Sequence, residues 1–140
     1  MYKRQDVGSA MTVIVSYTDG ENTAESVTSA ATISVANVND APAGAVTITG
    51  TVAEDSVLTA VTSALSDEDG LGSFSYQWAR AGTAIGSATS STYTLTQSDV
   101  GSAMTVTVSY TDGQNTAESV TSAATTVSYT HLTLPTTSRV

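Results

Sequence analysis

Short runs in which apolar residues alternate with Thr and Ser, punctuated by Gly, Asn and Asp, fill residues 6–126. Period-two alternation sends successive side chains to opposite faces of an extended chain, so the pattern predicts half-buried antiparallel strands. The clearest run is 103–111, where Met104, Val106, Val108 and Tyr110 share one face and Thr105, Thr107 and Ser109 the other. Asp112-Gly113 follows as a hairpin signal, and a return strand is predicted over 116–126. Phe74, Tyr76 and Trp78 alternate with Ser75 and Gln77, which predicts an aromatic inward face joined by Tyr93 and Tyr110. Val46, Val57, Val61, Val100, Val106 and Val108 are expected to fill the remaining core. Further strands are predicted at 45–51, 56–64, 73–80, 83–85 and 91–96.

A 27-residue passage occurs twice, at 6–32 and 99–125, with Ile14/Thr107 and Glu21/Gln114 as its only differences. The offset is 93 residues, the size of a small β-sandwich domain and too long for a solenoid repeat. The chain therefore reads as part of a tandem array. Seven predicted strands, with Trp78 on the third, predict an all-β, immunoglobulin-like (cadherin-like) antiparallel β-sandwich over 43–126. Such a domain is large enough to bury its own core. Residues 6–36 supply only the last two strands of a preceding identical repeat, and 37–42 form the linker. A hairpin on its own is expected to be marginal in water.

The ends depart from the repeat. After Thr126 the chain reads VSYTHLTLPTTSRV, and before Asp6 it reads MYKRQ. With suitable codons, the reverse complement of residues 2–5 read in a shifted frame gives Val-Ser-Tyr, as at Val127-Ser128-Tyr129. Both ends resemble the translated adaptor of a transposon-based sequencing library, so 1–5 and 127–140 are expected to lie outside the fold.

That exclusion changes the charge. Arg80 is the one cation between residues 6 and 126, against 13 carboxylates, a net charge of −12. Such a surface repels nucleic acid and anionic lipid, and no apolar run is long enough to span a bilayer, so neither nucleic acid nor membrane insertion is expected. The chain has no cysteine, and its one histidine, His131, lies in the tail. Disulfides, thiolate sites and a Ser-His-Asp triad are thereby excluded from the repeat, and no enzymatic activity is expected. The adjacent Glu54 and Asp55 would point to opposite faces of a strand, which does not suit a glycosidase acid/base pair.

Tyr76-Gln77-Trp78-Ala79-Arg80-Ala81-Gly82, Ser91-Thr92-Tyr93-Thr94-Leu95-Thr96, Asp99-Val100-Gly101 and the joint Val38-Asn39-Asp40-Ala41-Pro42 resemble the bacterial Ig-like and cadherin-like repeats of giant secreted RTX-type adhesins. No cysteine pair packs on Trp78, and no tyrosine-corner residue follows Gly101, which departs from antibody-type domains. The resemblance implies an extracellular or bacterial cell-surface spacer whose partners are adjacent copies of itself. A distal glycan or protein target would be bound by other domains.

In this topology the entering linker, the loop after the second strand and the last hairpin turn share one pole. Asn37, Asn39 and Asp40 would then meet Asp67, Glu68, Asp69 and Asp112, with Asp6 contributed by the preceding repeat. Glu54, Asp55 and Asp99 would gather at the opposite, exit pole. The entry set is similar to interdomain calcium sites of cadherins, which implies Ca²⁺, a cation that takes 6–8 oxygen ligands in flexible geometry. The same residues are also ordinary turn and linker formers, and a solvated acidic surface is the other reading. Two further function classes stay open: a module that binds a glycan or protein directly, and an accessory domain of a secreted hydrolase.

Overall fold

The computed structural model describes residues 3–127 and divides into two units, Met1–Asn39 and Asp40–Val140. The division falls inside the predicted linker. In the first unit a single helical turn, α1 (Lys3–Asp6), precedes an antiparallel hairpin of β1 (Ile14–Thr18) and β2 (Ala24–Thr28). Every residue of both strands is exposed. Val35 closes the unit by bonding to Gly8 and Ser9.

Among the described residues the second unit is all-β apart from one 3₁₀ turn, Gln97–Asp99. A three-stranded antiparallel sheet has the order β3-β4-β7, formed by β3 (Thr47–Thr49), β4 (Val57–Val61) and β7 (Thr92–Thr94). In the second sheet β5 (Ser75–Arg80) sits between β6 (Thr83–Ala84) and β8 (Ala103–Thr111). The far edge of β8 pairs with β9 (Ala117–Thr121) and then β10 (Thr125–Thr126). Leu58 and Ala60 from the first sheet and Trp78, Met104, Val106 and Val108 from the second meet in one buried cluster with Val46, Leu65 and Leu95. The two sheets thus share a core in a sandwich-like arrangement.

Trp78 is 0% exposed, donates its indole N–H to Ser90 O at 2.9 Å and stacks on Tyr93 with ring centroids 5.8 Å apart. Phe74 meets Tyr110 edge-on at 5.7 Å, and Tyr76 packs half-buried against the same cluster. Strand β8 alternates as expected, with Met104, Val106, Val108 and Tyr110 inward.

Four details differ from the sequence reading. In β4 it is Leu58 and Ala60 that face the core, while Val57 is 49% exposed and Val61 half-buried. The single return strand expected over 116–126 is broken at Ser122, whose hydroxyl accepts the Val106 N–H at 3.1 Å while its own N–H reaches Val106 O at 2.9 Å. The left-handed residue of the last turn is Asn115 (φ 69°), two places beyond the glycine of the Asp-Gly signal. Val127, expected to lie outside the fold, is fully buried and bonds through its N–H and C=O to Ser102 and Gly101. It does the work of Val35 in the first copy, reached with one fewer residue of spacer. The rest of the tail, with His131, lies outside the described residues.

Candidate metal centre

The Asp112 turn is built by its own side chain. Asp112 Oδ1 accepts the N–H groups of Gln114 at 2.8 Å and Thr116 at 2.7 Å, which fixes the carboxylate inside the loop it closes. Asp19 does the same in the first copy, accepting from Glu21 at 2.9 Å and Thr23 at 2.8 Å. The second contributor is the loop after β4, where Asp67 Oδ1 accepts the Asp69 N–H at 2.8 Å. Tyr110, on the inward face of β8, donates its hydroxyl to Asp67 Oδ2 at 2.6 Å. Burial first, and then this bond to a carboxylate, hold the Tyr110 phenol protonated well above the usual tyrosine range. The third contributor is the incoming chain, whose Asp40 N–H donates to Asp69 Oδ2 at 2.7 Å.

These bonds place one carboxylate oxygen each of Asp67, Asp69 and Asp112 within 4.8 Å of one another. Two oxygens on opposite sides of one calcium ion stand about 4.6–5.2 Å apart, so a single ion can be reached by all three. Asp69 is 2% and Asp112 5% exposed. Asp112 Oδ2 is buried and has no hydrogen-bond partner. An orphaned carboxylate oxygen beside two further carboxylates is costly unless a cation joins them, because burial and mutual repulsion act together. The repeat's only cation, Arg80, is engaged elsewhere. An all-oxygen donor set with no imidazole or thiolate suits a hard cation of the Ca²⁺ type.

Two glycines let the loops come this close. A Cβ on Gly72 would stand 2.0 Å from Thr111 O, directly before Asp112, and one on Gly44 (φ 88°) would stand 1.9 Å from Ala64 O. Gly72→Ala is therefore expected to push the 67–72 loop off the Asp112 turn and to cost about 1–3 kcal/mol, the range of an overpacked site. Urea titration reads the stability, and terbium luminescence, sensitised by Tyr110 beside the carboxylates, reads the separation of the cluster as lost emission.

The structure brings together only part of the predicted entry set. Asp67, Asp69 and Asp112 converge, and Asp40 joins through its backbone. Glu68 is exposed, and Asp6, Asn37 and Asn39 belong to the first unit. At the predicted exit pole, Glu54 and Asp55 are exposed, whereas Asp99 is 0% exposed and spent on structure. Its carboxylate pairs with Arg80 Nε at 2.5 Å and accepts the Thr96 N–H at 2.7 Å, the Thr96 hydroxyl at 3.0 Å and the Tyr93 hydroxyl at 3.0 Å. Burial alone would raise the Asp99 carboxyl, but the Thr96, Arg80 and Tyr93 hydrogen bonds outweigh it and hold it below the usual carboxylate range. Among the described residues no other group of three such side chains gathers. Sequence reasoning missed Tyr110 as the residue that positions Asp67; its place two residues before Asp112, on the inward parity of β8, was the available signal.

Comparison with family models, with curated proteins and with solved structures gives no match to this chain.

Proposed function

We propose that this chain is a structural repeat of a large bacterial extracellular adhesin, an immunoglobulin-like sandwich whose entry pole binds Ca²⁺ through Asp67, Asp69 and Asp112. The observation that carries this reading is the buried, unpartnered Oδ2 of Asp112 beside two other carboxylates. The order β3-β4-β7 facing β6-β5-β8-β9 supports the immunoglobulin-like assignment, and the 93-residue repeat supports an array of such domains. The role is mechanical and electrostatic: the cation neutralises the pole, and because Asp69 also holds the Asp40 N–H, its occupancy is felt by the linker that joins one repeat to the next. Asp40 and Asn39 are then the linker residues nearest in sequence to the ion's influence.

Calcium at a hundredfold excess over its dissociation constant adds about 2.7 kcal/mol. For a domain of this size that is a rise in Tm of roughly 10–20 °C over the chelated protein. The rise is expected to vanish in Asp69→Asn plus Asp112→Asn, and an unchanged Tm in the parent chain overturns the metal reading. The spacer role is read separately, on a two-repeat chain made by joining residues 38–98 to 6–126. Protease cleavage at the 37–42 linker between its two repeats is expected to slow with calcium, and equal cleavage with and without the ion removes the stiffening role.

A further inference from the structure

The two copies of the repeated passage have the same inward residues and opposite surroundings. Met104, Val106 and Val108 are 0% exposed and Tyr110 4%, whereas their counterparts Met11, Val13, Val15 and Tyr17 are 43%, 59%, 57% and 52% exposed. The exposed copy is nonetheless formed. Its strands pair in the same register, with Val15 opposite Val27 as Val108 is opposite Val120. Its turn carries the same carboxylate bonds, at Asp19 as at Asp112. Its return strand breaks at the same serine, with the Val13 N–H on Ser29 Oγ at 3.0 Å as the Val106 N–H is on Ser122 Oγ. Val35 closes it on Gly8 and Ser9 as Val127 closes the other on Gly101 and Ser102. The described residues therefore hold one acceptor body, residues 45–98, and two preformed hairpins that fit it.

We propose that residues 6–35 are a docking element for a second copy of this chain, seating in its 45–98 body in place of the resident 99–127 hairpin. Closure within one chain is out of reach. Val35 would have to occupy the position of Val127 beside Ser102, at the opposite end of β8 from the Asp112 turn, while Asp40 is bonded to Asp69 beside that turn. The ten steps from Ser102 to Asp112 span about 33 Å of strand. The five steps from Val35 to Asp40 reach at most about 18 Å, and the eight to Ala43, itself paired with Ser66, about 29 Å. The fit is thus between molecules, head to tail, and Asp19 of the incoming hairpin takes the place of Asp112 against Asp67 and Asp69. The resident hairpin has the advantage of a short connection, an effective concentration in the millimolar range, so exchange takes over where that hairpin is disabled. No metal is needed for this docking.

The test is made on the full chain. Val108→Asp puts a charge at the centre of the resident hairpin and leaves 6–35 intact; Val15→Asp does the reverse. Val15→Asp is expected to remain a folded monomer. Val108→Asp is expected to run in analytical ultracentrifugation as dimers and larger head-to-tail species, with the fluorescence of Trp78, the only tryptophan, still that of a buried indole. The double variant is expected to be a monomer with exposed Trp78, and an excess of Trp78→Phe chain, with both hairpins intact and no tryptophan signal, restores its burial. The proposal is overturned if Val108→Asp stays monomeric, folded or unfolded, or aggregates with Trp78 exposed. It is equally overturned if the double variant oligomerises with Trp78 buried, or if the Trp78→Phe chain restores nothing.

Discussion

Trp78→Ala is expected to lower the stability of the second unit by about 3–5 kcal/mol, a large share of the 5–15 kcal/mol typical of a domain. The indole is enclosed between the two sheets, so its removal leaves a cavity that Leu58, Leu95 and Met104 cannot all collapse into. The backbone compounds the effect. Trp78 N–H bonds to Ala88 O, its carbonyl accepts from Ile85, and its indole N–H bonds to Ser90 O, so one residue fastens the 85–90 segment at three points. Urea denaturation followed by circular dichroism measures the loss, since the fluorescent reporter goes with the substitution. Trp78→Phe, which keeps a ring but drops the donor, should recover most of it, and a small cost for alanine would mean the indole is not the centre of the core.

Asp99→Ala is expected to cost about 2–3 kcal/mol, near the lower end for a broken buried ion pair because the Arg80 side chain is 32% exposed. The cost comes from what remains: a backbone N–H, two hydroxyls and a guanidinium, all oriented towards an acceptor that is gone. The pair also sets an acid dependence. A carboxyl held lower in the folded chain than in the unfolded one contributes stability in full above the ordinary carboxylate range, near 4. That contribution disappears as pH falls through the lower folded value. Plots of Tm against pH should therefore fall below about pH 4, and the fall should be shallower in Asp99→Asn. Parallel curves for the two proteins would show that the pair does not titrate with folding.

The fold was legible where only one parity of a run is apolar. Strand β8 is such a case, with hydroxyls on the opposite positions, and its bounds agree with the expected 103–111. Strand β4 is not: Val57, Leu58, Ala60 and Val61 put apolar residues on both parities, and only the neighbouring sheet, which supplies Trp78, decides that Leu58 and Ala60 turn inward. The same limit applies to Ser122, because a hydroxyl that replaces a carbonyl as acceptor is visible only once two strands are in register. At the site, Asp67, Asp69 and Asp112 could be grouped from topology, since loops at one end of a sheet pair are neighbours whatever their sequence separation. Asp99 could not be sorted from them by residue type. Its distinction is the neighbouring presence of Arg80 and Tyr93, from other strands, and a carboxylate given four donors is neutralised in place rather than left for an ion. Val127 shows a related limit: the closing position asks for a buried β-branched side chain that returns two hydrogen bonds, and the origin of the segment does not enter.

The chain enters the second unit at Asp40, bonded to Asp69, and at Ala43, paired with Ser66, and reaches Val127 beside Ser102, at the other end of the same strands. Tension carried along it therefore pulls β3 and β9–β10 lengthwise past β4 and β8 in opposite directions. Strands drawn that way load their cross-strand bonds together, as a lap joint does, instead of opening them one by one like a zip. Under the proposed spacer role, with Asp40 also fastened to Asp69, force would enter through a point that the carboxylate cluster can tighten, and the element best placed to bind an ion would be the first to bear load.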